Sequence, residues 1–181
     1  MSFLGGNWHN VRYPTRMEEH KNEDGDRCLP PLGIMADLDE DTRTALCKVG
    51  QFGTLQPGEY LAIQGQHHRK LSFILSGELS VNSHAHGDTI HLADLKAGDT
   101  VGEMSAIDPR VASASVEVSK PTEYWWVSME DFNNFVATDW QRGYSILKIL
   151  AKELCYRIRM GTESMLKTKE DLRSHFIDMD Y

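Results

Sequence analysis

The sequence predicts a mainly β protein, an antiparallel β-roll of jelly-roll type with flanking helices. Three observations lead to this class. Short β-prone segments follow one another between residues 51 and 128, and glycine-containing turns separate them. After Ser128 the apolar residues recur at helical spacing instead. Many short strands with regular turns are typical of an antiparallel sandwich or barrel, and a change to helical period marks the end of the roll.

Six segments carry the strand pattern. They are Tyr60–Ile63, Leu71–Leu75, Glu78–Asn82, Thr89–Leu95, Ser113–Val118 and Tyr124–Val127. Turn-forming pairs such as Pro57-Gly58, Ser76-Gly77 and Lys120-Pro121 lie between them. Glycine and proline favour turns because one permits positive φ and the other fixes φ near that of a turn. The Trp125-Trp126 pair should point its two rings to opposite faces of its strand, one of them into the core.

Helices are predicted on both sides of the roll. Pro30-Pro31 ends the preceding segment, and Leu32–Val49 then reads as a short helical region with Asp39 or Asp41 as its N-cap. Ser128 with Asp131 resembles a capping box for a short helix after the roll. A longer helix is predicted from near Trp140.

The long helix carries one broad apolar stripe, formed by Ile146, Leu147, Ile149, Leu150, Leu154, Ile158 and Met165. Either the β-roll or a second copy of the helix in a coiled dimer could cover this stripe. Gly161 predicts that any such seam weakens or ends there. The expected organisation is a flexible arm at 1–28, one domain at 29–160 that includes the C-terminal helices, and a tail at 161–181.

Length and charge restrict the function. The chain of 181 residues holds 19 Lys+Arg and 27 Asp+Glu, a net charge of −8. An acidic chain repels nucleic-acid phosphates, so DNA binding is not expected. The sequence has no apolar run of membrane-spanning length and no signal-peptide pattern at its start. The three widely spaced cysteines are expected to fill apolar space in a reducing compartment, which predicts a cytoplasmic protein.

One segment suits a phosphorylated sugar. Residues 97–116 read AGDTVGEMSAIDPRVASASV. A strand ends at Gly102, Glu103 follows at once, and a short helical turn begins near Met104. Glycine lets a ligand approach the backbone, a glutamate accepts hydrogen bonds from sugar hydroxyls, and Arg110 could pair with a phosphate. Outside any wider context, Glu103 would more simply cap the turn that follows it.

A set of short motifs in fixed order carries a wider resemblance. They are Pro57-Gly58-Glu59, Gly65, Ile74-Leu75-Ser76-Gly77-Glu78-Leu79, Gly98-Asp99, Gly102-Glu103 and Ser105-Ala106-Ile107-Asp108. Through them the segment Leu32–Arg159 resembles the cyclic-nucleotide-binding domain family. Bacterial catabolite activator protein, the regulatory subunits of cyclic-AMP-dependent protein kinase and cyclic-nucleotide-gated channels belong to that family.

The resemblance implies a set of binding residues. Gly102 and Glu103 would open the phosphate-binding cassette, with Glu103 on the ribose 2′-hydroxyl. The amides of Met104 and Ser105 would face the cyclic phosphate. Apolar contacts are expected from Val81, Leu92 and Val101. The long C-terminal helix would cover the base, and it often pairs with its copy in a dimer.

The family arginine that holds the phosphate is displaced in this sequence. It usually lies nine residues after the glutamate, where this chain has Ala112, followed by Ser113-Ala114-Ser115-Val116 as in the family strand. Pro109-Arg110 stands two residues early. Either the loop is shorter and Arg110 still contacts a phosphate, which we expect, or the anchor is lost. Residues two apart on a strand share a face and lie about 6.6 Å apart, so an arginine could lean across part of that distance. Ala112 and Ser113 are included among the expected contacts.

Other chemistry is not expected. His84, His86 and His91 flank a hairpin turn, where a metal site is possible but solvated histidines are the usual finding. The run His67-His68-Arg69-Lys70 is expected to be a solvated loop tip. No nucleophile with a paired base is evident, so neither catalysis nor a resident cofactor is expected.

The predicted function is therefore cyclic-nucleotide sensing, with cAMP or cGMP as the regulatory ligand and the C-terminal helix as the moving part. No helix-turn-helix follows that helix in the sequence. The output is expected to pass through a homodimer or a separate effector protein, with no DNA binding and no membrane span. The alternative is a degenerate, nucleotide-free domain that acts as a protein-interaction subunit.

Overall fold

A computed structural model describes residues 20–21, 25, 27–85 and 87–177 of the chain, with side chains up to residue 170. The described elements are a 3-10 helix (Gly33–Asp37), α1 (Glu40–Val49), β1 (Gln51–Leu55), β2 (Tyr60–Ala62), β3 (Lys70–Ala85), β4 (Asp88–Lys96), β5 (Thr100–Val101), α2 (Glu103–Ile107), β6 (Ser115–Ser128), α3 (Met129–Thr138) and α4 (Trp140–Ile177). Most of the predicted N-terminal arm, with Trp8 and Tyr13, lies outside the described residues, and so do the last residues of the predicted tail.

The strands form one antiparallel sheet that rolls up on itself. Its order is β1-β6-β3-β4, with β2 paired to β6 and β5 paired to β3. The long strands β3 and β6 run side by side from Lys70↔Ser128 to Asn82↔Ser115 and form the spine of the roll. The predicted class, mainly antiparallel β with flanking helices, is confirmed.

Several predicted strand limits change. The segments predicted on either side of Gly77 are one strand, β3, which passes Gly77 through shifts of register at Ile74/Ser76 and Ser76/Glu78. The two segments on either side of Pro121 are likewise one strand, β6. β1 was not predicted, and the strand that was expected to end at Gly102 is the two-residue β5. Bulges therefore absorb the turn-forming residues without ending the strands.

Two apolar cores fill the molecule. The helix-side core joins the outer face of the sheet to the helices, and its buried members include Phe73, Trp125, Phe132, Ile146 and Leu150. The roll-interior core lies between the strands and contains Ala62, Ile74, Leu79, Leu95, Val101, Val116 and Val118. One ring of the tryptophan pair lies in the core, as predicted: Trp125 is fully buried. Trp126 is half-buried beneath Lys70, whose Nζ lies 3.8 Å from the ring centroid.

The predicted helix caps are present. Thr42 donates its backbone N–H to the Asp39 carboxylate at 2.7 Å, so Asp39 and not Asp41 caps α1. Asp131 donates its backbone N–H to Ser128 Oγ at 3.0 Å at the start of α3. Of the cysteines, Cys28 and Cys47 are buried as expected, and burial raises the pKa of Cys47 to about 11. Cys155 is exposed on α4 and fills no apolar space.

The long helix α4 divides the predicted apolar stripe between two environments. Ile146, Ile149 and Leu150 are buried in the helix-side core. Ile158 and Met165 are 68% and 76% exposed. The helix continues through Gly161 to Ile177. Among the described helices, none combines the length and the apolar content that a membrane crossing requires.

Candidate functional site

A sharp backbone turn at Gly102 begins the candidate site. Gly102 has φ +95° and stands between β5 and α2. A Cβ atom at this position would lie 2.0 Å from the Lys70 carbonyl oxygen and about 3.0 Å from the His68 ring. Both the left-handed conformation and the close approach of β3 therefore require glycine. Residues 102–112, which begin at this turn, are called the cassette below.

The first carboxylate of the cassette is bound by the long helix. Glu103 is 4% exposed, and Arg157 Nη1 on α4 donates to its Oε1 at 2.8 Å. Arg157 also donates from Nη2 to the Thr100 carbonyl oxygen at 2.9 Å and from Nε to Glu153 Oε1 at 2.8 Å. One guanidinium thus connects α4 to both β5 and α2, which are the two elements that meet at Gly102.

Acidic groups outnumber the cation in this network. Burial raises the pKa of Glu103, and Arg157 opposes that effect only in part. Burial also raises the pKa of Asp99, whose charge interacts with Arg157. Glu103 Oε2 and Thr100 Oγ1 are buried without a hydrogen-bond partner. A buried carboxylate oxygen without a donor is unfavourable, so this oxygen is an available acceptor for a ligand group.

The far end of the cassette closes against the loop before β3. Ala112 donates its backbone N–H to the Gln66 carbonyl oxygen at 2.8 Å and accepts from the Gly65 N–H at 2.9 Å. Its side chain packs against the roll-interior core. Arg110 lies outside, with its side chain 80% exposed and its Nε 2.7 Å from Asp108 Oδ2. Ala112 therefore faces the interior of the roll while Arg110 is at its surface.

The segment that contains the cassette matches a known protein family. Residues 53–139 match the family model described as the cyclic nucleotide-binding domain. The matched segment is a cyclic nucleotide-binding domain. It begins in β1 and ends just after α3, so it contains the whole cassette. No curated protein sequence matches the chain.

Solved structures agree with this family. A cyclic nucleotide-binding domain from Methylobacillus flagellatus KT is 26% identical, with a TM-score of 0.69 over 72% of this chain and 74% of that one. The catabolite activator protein of Thermus thermophilus is 23% identical, with a TM-score of 0.65 over 77% and 63% of the two chains. The c-di-GMP-responsive global regulator of Xanthomonas campestris is 18% identical, with a TM-score of 0.65 over 71% and 64%. At these identities the last two matches show a shared fold only, and both of those proteins are regulators.

The cyclic nucleotide-binding domain brings only part of the predicted site together. Val101 is buried in the roll-interior core, and Val81 and Ala112 pack against that core. Leu92 and Met104 are each 55% exposed, Ser113 is exposed and Ser105 is half-buried. Glu103 contacts α4, and Arg110 contacts Asp108. The ligand contacts of these residues remain predictions.

Arg157 was not predicted from the sequence. It lies 54 residues after Glu103, on the helix that the motif predicted only as a cover for the base. Its one local signal is Glu153, four residues earlier on α4, since such pairs stabilise one face of a helix. Glu153 and Arg157 follow the buried residues Ile149 and Leu150 along α4. A charged pair so close to the buried part of the helix indicates that one of its members has a partner in the roll.

The histidines and the basic loop do not form a second site. His84 Nδ1 lies 3.0 Å from Thr89 Oγ1, and His91 Nδ1 lies 3.1 Å from Ser80 Oγ. Within the described part of the chain, no group of three or more metal-binding side chains comes together, and His86 lies outside that part. His67 and Arg69 are exposed as predicted. His68 is not a solvated tip: its ring lies against Gly102, and burial lowers its pKa.

Proposed function

We propose that this domain is a nucleotide sensor in which α4 responds to occupancy of the site at the cassette. The ligand class is the cyclic nucleotide of its family, cAMP or cGMP. The observation that supports the proposal is the Arg157 network, because it joins the helix that would relay a signal to the carboxylate that would meet the ligand. A ligand can shift such a helix only if it binds one arrangement more tightly than the other.

Competition for Glu103 supplies that difference in affinity. A sugar hydroxyl that donates to Glu103 competes with Arg157 or takes the free oxygen Oε2 beside it. Either event changes how strongly α4 is held at β5 and α2. The other proposed contacts with the ligand are Val81, Leu92, Val101, Gly102, Met104, Ser105, Ala112 and Ser113. Arg110, which the sequence placed on the phosphate, is left out of this proposed set because it pairs with Asp108 at the surface.

The proposed partner is a second copy of the chain. Every described side chain from residue 158 to residue 170 is exposed, so α4 leaves the roll after Arg157. Most of the stability of a protein helix comes from packing of one of its faces, so this exposed part of α4 is expected to have a partner. Large apolar residues at alternating steps of four and three mark one face of α4: Trp140, Tyr144, Leu147, Leu154, Ile158 and Met165. Ala151 and Gly161 fill the two remaining positions, and we propose that the seam passes Gly161, where it was expected to weaken, because α4 continues through this residue. Such a series is typical of a coiled-coil seam.

Replacement of Arg157 by methionine tests the relay. The variant loses three hydrogen bonds of a charged group, so α4 should open from the roll at least tenfold more often. Amide hydrogen exchange of residues 150–160 measures that opening. In the wild type, ligand should change this exchange; in Arg157→Met it should be fast with and without ligand.

Arg159→Met is the matched control, because Arg159 is an exposed arginine two positions along the same helix. It should retain the slow, ligand-sensitive exchange of the wild type. If Arg157→Met also retained it, the guanidinium would not couple α4 to the cassette and the relay would be refuted.

A nucleotide-free interaction module is the second candidate, and one observation favours it. Ala112 stands at the interior position where the family holds its phosphate, and Arg110 lies at the surface. Titration calorimetry of the full chain with cAMP, cGMP, their nucleosides and a cyclic dinucleotide separates the two candidates. Absence of binding heat with all of them up to millimolar concentration would refute the sensor and leave the interaction module.

A further inference from the structure

We propose that the site recognises the sugar and the base of its ligand and not the phosphate, so that an uncharged nucleoside binds about as well as the cyclic nucleotide. The inference rests on the proposed function, because it concerns the ligand of the same site. It follows from how this chain arranges charge and hydrogen-bonding groups around the cassette.

The interior position for a phosphate partner is apolar. The Ala112 side chain is partly buried and packs against the roll-interior core. Its backbone N–H and carbonyl oxygen are both used in hydrogen bonds to Gln66 and Gly65. Ala112 therefore offers neither a cation nor a free amide to an anion. Burial of an unpaired anion against such a surface is strongly unfavourable.

Three basic side chains near the cassette already have partners, and burial lowers the pKa of a fourth, His68, whose Nε2 has no hydrogen-bond partner. Arg157 makes three hydrogen bonds, two of them to carboxylates. Arg110 is paired with Asp108 at the surface. Lys70 lies over the Trp126 ring. Recruitment of any of these cations by a phosphate would break an existing contact.

The charge near Gly102 is negative. Asp99, Glu103 and Glu153 interact with the single guanidinium of Arg157, which leaves an acidic excess. The helix α2 has five residues and carries Glu103 in its first turn, so its N-terminus provides little attraction for an anion. The field at the cassette thus opposes a phosphate.

Acceptors for neutral donors are present instead. Glu103 is only 4% exposed, and its Oε2 has no hydrogen-bond partner. The Thr100 and Ser72 hydroxyls, on the paired strands β5 and β3, are also buried and unpartnered. Sugar hydroxyls are uncharged donors that match a carboxylate oxygen, and the apolar residues Val81 and Val101 suit a base.

Titration calorimetry on the full chain tests this inference with adenosine, guanosine, cAMP and cGMP at low and at moderate salt. We expect each nucleoside to bind within tenfold of its cyclic nucleotide, or more tightly, with little salt dependence. A cyclic nucleotide that binds more than tenfold tighter than its nucleoside would overturn the inference while the sensor function stands. No binding by any of the four would overturn both.

Two variants locate the missing phosphate contact. Ala112→Arg places a cation at the interior position and should strengthen binding of cAMP relative to adenosine at least tenfold. Arg110→Ala should leave that ratio unchanged, and as a surface change it should not disturb folding. If Arg110→Ala instead weakened cAMP binding tenfold and left adenosine unaffected, Arg110 would hold the phosphate and the inference would be wrong.

Discussion

Replacement of Gly33 by alanine is expected to destabilise the domain by roughly 3 kcal/mol. Gly33 has φ +51°, and a Cβ atom there would lie 2.0 Å from the Gly98 carbonyl oxygen. The variant combines left-handed strain with a clash against backbone, which cannot move aside as a flexible side chain can. Urea denaturation followed by circular dichroism measures the loss.

Gly58→Ala is the matched control for that variant. Gly58 also has positive φ, +88°, but a Cβ atom there would meet nothing within 4 Å. Only the left-handed strain remains, so about 1–2 kcal/mol should be lost. Equal losses in the two variants would mean that the contact between Gly33 and Gly98 contributes nothing.

The contact between these two glycines lies on a route from the cassette to α4. Gly98 belongs to the turn between β4 and β5, and β5 leads directly to Gly102. Gly33 begins the 3-10 helix, whose Asp37 accepts from Lys152 on α4 at 2.9 Å. The 3-10 helix is thus a second mechanical link between the cassette and the long helix, beside Arg157.

Much of the fold could be predicted because local patterns and tertiary structure agree. Asp39 and Ser128 cap their helices as their sequences indicate, since a cap depends on residues three positions apart. Strand limits were less predictable. Gly77 and Pro121 resemble turns locally, but pairing between β3 and β6 holds both strands through these positions. β5 has only two residues, too few for any periodicity.

The candidate site could be predicted only where it is local in sequence. Gly102 and Glu103 belong to one short motif and lie at one turn as expected. The partner of Glu103 is an arginine 54 residues away, and the direction in which Arg110 points depends on Asp108 and on the pairing of Ala112 with Gln66. Side-chain partners across the fold are not encoded in the spacing of a motif.

Paired glutamate substitutions on α4 are expected to weaken the proposed dimer at least a hundredfold. Ile158 and Met165 lie seven residues apart on the proposed seam and are 68% and 76% exposed in the single chain. In a parallel dimer each would meet its own copy, so Ile158→Glu with Met165→Glu would bring like charges together in an apolar seam. A hundredfold change corresponds to about 2.7 kcal/mol. Sedimentation equilibrium over a range of concentrations measures the dissociation constant.

Leu166→Glu with Met160→Glu distinguishes the seam from general surface hydrophobicity. Both residues are exposed apolar side chains on the same part of α4, at 58% and 45%, but they lie off the seam. This control adds the same charge to the same helix, so it should leave dissociation within a few-fold of the wild type. Equal weakening by both pairs would mean that charge alone separates the copies. A wild-type chain that stays monomeric at high concentration would exclude the dimer, and the exposed length of α4 would then require a different partner.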